Sequence, residues 1–273
     1  MSTYRKGSHF RDFYIREIIG SSIVADISVS LDGIWNRTEL ENIIDKREHP
    51  SYTGTYRHMY NGRLPYNKKC KEIHDKLKKN ENSKNTLAIW KNHPFWRLLY
   101  ILKPTFDEIN NALLCVDKKL HTYLWDNPTG NIEWDFIFQR KHLTSEDIES
   151  IAQYENFDAL IMLTALSREA HIRNDESIHY HCVLQTRKIF ARVICNTPQL
   201  YIRWPVLLQF YIEPIWFLES GKHYKILDIS GLEEEIREEE KLAISKGVLL
   251  PPKNEFRNIN KKEWFLVDDA FKH

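Results

Sequence analysis

Apolar residues recur along this chain at intervals of three and four. Ile109, Leu113, Val116 and Leu120 make one such series, and Ile148, Ile151 and Tyr154 another. That spacing places side chains on one face of a helix. Four hydroxyl residues stand three positions before a carboxylate, as in a helix-capping box: Thr38 with Glu41, Thr105 with Glu108, Thr144 with Asp147 and Ser230 with Glu233. Pattern and caps together predict helices over residues 10–19, 39–45, 53–61, 67–79, 106–124, 145–153, 157–172, 177–194, 204–217 and 232–246. The expected fold class is all-α: a small N-terminal helical unit, a larger helical bundle and an extended C-terminal tail.

Polarity suggests the divisions. Residues 81–91 follow two lysines and continue a polar tract with little to bury, so they read as a linker between a basic unit over 1–80 and a bundle over 92–230. Residues 231–273 begin with six Glu among positions 233–240, then meet Gly247 and the Pro251-Pro252 pair, which stop a helix. The tail carries Trp264 and Phe265.

Composition supports helices. Only nine of the 273 residues are glycine, about half the usual share of ~7%, which disfavours a turn-rich sandwich. With 42% hydrophobic and 28% charged residues the chain is expected to be globular. Its most apolar stretch, residues 206–218, is interrupted by Gln209, Glu213 and Pro214, leaving no run of ~18 apolar residues to span a bilayer. Arg5, Lys6, Arg11, Asp12, Arg16 and Glu17 occupy the place of a leader's apolar core. Cys70, Cys115, Cys182 and Cys195 form no Cys-x-x-Cys pair. A soluble, cytoplasmic protein without membrane partner or cofactor is expected.

Net charge is near zero overall but not locally. Residues 1–90 hold 16 basic and 11 acidic groups, and residues 231–273 hold 8 and 10. The excess is concentrated in Arg57, Arg63, Lys68, Lys69, Lys71, Lys76, Lys78 and Lys79, opposed in that stretch only by Glu72 and Asp75. Such a cluster is a footprint for phosphate. The run from Tyr56 through Met59 and Gly62 to Pro65, followed by Cys70, Ile73 and Leu77, resembles the second half of a lambda-repressor-type helix-turn-helix, with the segment from Thr38 to Ile44 as the first helix. The resemblance, over residues 38–77, implies apolar Tyr56 and Met59 facing the core and a helix near residues 53–60 in the major groove. Arg57, Arg63, Lys68, Lys69, Lys71 and Lys76 would contact nucleic acid, DNA more than RNA.

A second concentration of chemistry runs from His171 to Cys182. Arg173-Asn174 followed after four residues by His179 resembles the motif of the HEPN ribonucleases, which are helical and metal-independent. That resemblance implies Arg173 on the phosphate, His179 in proton transfer and Asn174 beside them. On an unbroken helix His171, Asp175, His179 and Cys182 would share one stripe able to ligate zinc or iron. Arg173-Asn174-Asp175 reads as an interhelical turn that breaks the stripe, so no metal ligand is assigned.

Phosphate-loop, dinucleotide-loop, nucleophile-elbow and zincin motifs are all lacking. The expected function is therefore non-enzymatic and nucleic-acid-associated or regulatory. A metal-independent ribonuclease is one alternative. The other is a protein-binding module of adaptor, immunity or antitoxin type, using aromatics such as Trp90, Phe95, Trp96, Tyr201, Trp204, Trp216 and Phe217 and the glutamates at 233–240.

Overall fold

A computed structural model of the chain describes residues 4–45, 55–77, 90–101, 103–125, 140–212, 215 and 231–252. Among the described residues the secondary structure is helical, without a strand, apart from one isolated antiparallel bridge between Trp125 and Arg140. The all-α expectation holds. No helix among them is long and apolar enough to cross a membrane. The chain divides into two compact units. One comprises residues 1–91, 198–206 and 247–273, the other residues 92–197 and 207–246.

The first unit is built on α1 (Tyr4–Ser30), with α2 (Arg37–Asp45), α3 (Thr55–Tyr60) and α4 (Asn67–Leu77). Helix α1 runs well past residue 19, where Gly20, Ser21 and Ser22 suggest a stop. All three are buried. A Cβ built on Gly20 would sit 1.9 Å from the Met59 carbonyl oxygen, so α3 approaches α1 backbone to backbone at the one residue without a side chain. Ser22 and Ser28 return their hydroxyls to the carbonyls of Ile18 and Val24, at 2.9 Å each, which satisfies them inside the core. At the start of α2 the cap is Asn36, whose Oδ1 accepts from Thr38 and Glu39 N–H, and not Thr38. Glu41 turns instead to the Tyr56 N–H at 3.3 Å, joining α2 to α3.

The second unit contains α5 (Pro94–Tyr100), α6 (Phe106–Leu114), α7 (Lys118–Leu124), α8 (Ser145–Ala152), α9 (Phe157–Arg173), α10 (Glu176–Asn196) and α12 (Leu232–Ser245). Between α10 and α12 lie α11 (Pro198–Tyr201), which belongs to the first unit, a helical turn over Trp204–Leu207 and a π-helical turn over Leu208–Ile212. The predicted helix over 106–124 is two helices. Asp117 accepts from Lys119 N–H at 2.9 Å and starts α7 afresh after Cys115 closes α6. The capping boxes at Thr105 and Thr144 are both made. Ser230 lies outside the described residues, and Gly231 stands at the N-cap of α12.

Helix α9 is buried continuously from Ala159 to Ser167 and pairs with α10 as a helical hairpin, as a run apolar all round apart from Thr164 and Ser167 requires. Composition set the glutamate-rich helix apart with the tail, yet α12 packs in the larger unit against α10. Arg187 grips Glu235 through two hydrogen bonds of 2.6 and 2.8 Å, and Arg192 holds Glu239 at 3.0 Å while also pairing with Glu155. Trp90, Phe95, Trp96 and Tyr201 are core residues in their respective units. The side chains of Phe210 and Tyr211, together with Trp216, Phe217, the linker at 81–89 and the tail beyond 252, lie outside the described residues.

Gly20→Ala tests the α1–α3 approach. In an ordinary helix interior this change stabilises by about 1 kcal/mol. Here it must push α3 away, and urea denaturation is expected to show a loss of about 3 kcal/mol or more.

Candidate nucleic-acid interface

Helix α3 ends in a Schellman motif. Gly62, at φ 75°, donates to Met59 and Arg63 donates to His58, at 2.9 and 2.8 Å. Only glycine adopts this conformation cheaply, and an added Cβ would also press within 3.2 Å of the Glu17 backbone nitrogen. The chain then crosses to α4 through a buried Pro65. Its carbonyl accepts from Lys91 Nζ at 2.8 Å and from the Cys70 thiol at 3.7 Å. Lys91 also donates to Asn67 Oδ1 at 3.0 Å, so its ammonium is seated against the first residue of α4. Burial pushes the Cys70 thiol up despite the neighbouring Lys91 ammonium, keeping it a neutral packing residue.

Tyr56 and Met59 are each 1% exposed, as the helix-turn-helix resemblance implies. Ile73 and Leu77 bury one face of α4, which turns Lys68, Lys71 and Lys76 outward with Arg63 nearby in the chain. Lys69 is partly buried and pairs with Glu72 at 3.7 Å. Glu72 and Asp75 are exposed on this same helix, so acid interrupts its basic face. No acid occupies the first turn of α4, where aligned backbone N–H groups add to the charge of Lys68 and Lys69. The Arg57 side chain, Lys78, Lys79 and residues 46–54 lie outside the described residues.

The histidine segment is arranged differently. Arg173 is the last residue of α9, Asn174 makes the left-handed C-cap at φ 56°, and Asp175 caps α10 by accepting from Ile178 N–H at 3.0 Å. The turn read from the sequence is present. Arg173, 59% exposed, lies over the Phe106 ring at 5.2 Å and binds Glu169 through Nε at 2.9 Å. The other oxygen of Glu169 takes Arg140. His179 is fully buried, its Nε2 at 3.1 Å from the Ile215 carbonyl, and burial lowers its pKa to about 4. One member of the pair is therefore at the surface in an ion pair, and the other is a neutral core histidine donating to a carbonyl. Proton transfer to a substrate needs hydrogen-bond reach to that substrate, which a wholly enclosed imidazole lacks in this conformation. His171 and His179 have ring centroids 6.0 Å apart, and the Cys182 thiol is completely buried with its pKa raised by desolvation. Among the described residues no three His, Cys, Asp or Glu side chains are grouped to hold a metal ion.

Sequence reasoning passed over Tyr66 and Lys91. Tyr66 carried a signal, an aromatic between Pro65 and a lysine-rich helix start. Lys91 carried none, because its partners are 24 and 26 residues away. No family model matches the chain, and no curated protein or solved structure matches it either.

Two histidines whose pKa values are strongly lowered, the buried His179 and the half-buried His93, set a pH dependence in the larger unit. Burial lowers His93, the N-cap of α5, to about 4, as it does His179. Both are neutral when folded, whereas the unfolded chain takes up protons near 6.5. Stability is thus complete above that value and falls as pH drops toward 4. Chemical denaturation at pH 7 and pH 5 is expected to differ by about 2 kcal/mol for each histidine. In His93→Asn with His179→Gln the difference shrinks.

Proposed function

We propose that this protein binds nucleic acid through the surface formed by Arg63, the start of α4 and Lys91, acting as a binding or regulatory protein. The observation that carries the reading is the arrangement of α4. Its apolar residues are committed to the core while Lys68, Lys71 and Lys76 are exposed on a helix whose start is anchored by Lys91. Lysine displaces the condensed counterions of a phosphate backbone, and an ordered scaffold lowers the entropic cost of doing so.

Charge interruption by Glu72 and Asp75 points to moderate affinity with a shallow salt dependence. About three or four phosphate contacts correspond to a log–log slope of about −3 for duplex DNA. Electrophoretic retention should weaken along that slope, and Lys68→Glu with Lys71→Glu should lower affinity by at least tenfold while leaving the melting temperature unchanged. Retention indifferent to the double substitution removes the proposal. RNA incubated with the protein in EDTA should remain intact; cleavage lost in both Arg173→Ala and His179→Ala would favour the ribonuclease alternative.

A further inference from the structure

Tyr66 is 67% exposed, more than any other large apolar side chain among the described residues. An unburied ring of this size forgoes the favourable transfer of its apolar area out of water. Its backbone is nevertheless firmly held. The preceding Pro65 is buried and its carbonyl bonded to Lys91 and Cys70, the Tyr66 carbonyl accepts from Cys70 N–H at 3.0 Å, and the following Asn67 holds Lys91. A held segment thus exposes an aromatic ring between two residues that bind the Lys91 ammonium, and the exposed Lys68 and Lys71 follow within five residues. Lys91 uses two of its three N–H donors on these oxygens.

We infer that Tyr66 is a stacking platform for an unpaired base and that the ligand is single-stranded nucleic acid. This rests on the reading of the α4 surface as a nucleic-acid interface. A duplex offers base edges in its grooves while its base faces are stacked on one another, so an exposed ring finds no free face to stack on; a single strand offers faces to any flat ring. Helix α3 agrees. Tyr56 and Met59 point into the core, so neither is placed to read a major groove. Phosphates flanking the stacked base meet the exposed Lys68 and Lys71, which follow Tyr66 within five residues.

The test is fluorescence anisotropy of the full chain with a labelled 20-nucleotide single strand and with the same sequence as a duplex. The single strand should bind at least tenfold more tightly. Tyr66→Ala should weaken that binding by about tenfold, and Tyr66→Phe, which keeps the ring, by less than about twofold. An exposed side chain can be removed without unfolding, and far-ultraviolet circular dichroism confirms that each variant is folded. Equal affinity for both forms overturns the inference, as does a Tyr66→Ala protein that binds normally while Lys68→Glu with Lys71→Glu abolishes binding. In that case the broader nucleic-acid reading survives without the stacking. Failure of the wild-type protein to bind either probe overturns both.

Discussion

Backbone meets backbone where Gly20 of α1 faces the Met59 carbonyl of α3, and much of the first unit follows from that approach. Any side chain at position 20 would occupy the space taken by the carbonyl. The proximity lets Tyr56 and Met59 bury fully and brings Gly62 against α1 at Arg16 and Glu17. Gly62 then reverses the chain, Pro65 is clamped by Lys91, and α4 starts in a fixed place. The cationic surface and Tyr66 are the outer side of this arrangement. Their positions are set by core contacts together with Lys91, which both clamps the turn and belongs to the proposed surface.

The second unit is held by different means. A largely apolar helix, α9, forms its centre, and several of the polar residues brought inward are matched by hydrogen bonds. Thr164 and Thr186 bond to carbonyls one turn back, His179 to Ile215, and Glu169 to two arginines. Arginine side chains on α10 secure α12 by its glutamates. The chemistry that is densest in the sequence, between His171 and Cys182, is thus largely spent on folding. The sparser chemistry around α4 remains directed at solvent.

Local determinants were the most legible from sequence. Thr105 with Glu108 and Thr144 with Asp147 form boxes because donor and acceptor lie within one turn. The Asn174–Asp175 turn was readable for the same reason. Thr38 misled because the helix starts before it: Asn36 is the cap, accepting from the Thr38 and Glu39 N–H groups, and Thr38 lies inside the first turn. The break between α6 and α7 was hidden because Val116 and Leu120 continue the apolar interval across it; both are buried, but Val116 lies in the connecting turn and Leu120 in α7. The extent of α1 and the role of the glutamates on α12 depend on partners distant in the chain, Met59 for Gly20 and Arg187 for Glu235, and no local pattern encodes either. The lysines of α4 were legible as charge, whereas Lys91 and the exposure of Tyr66 emerge only when the turn at Pro65 is built.

Hydrogen–deuterium exchange of the full chain with and without a single-stranded oligonucleotide addresses the central claim most directly. The account predicts slowed exchange at residues 61–72 and 90–92, with residues 171–182 unchanged. Protection centred on residues 171–182, with none at 61–72, would contradict it.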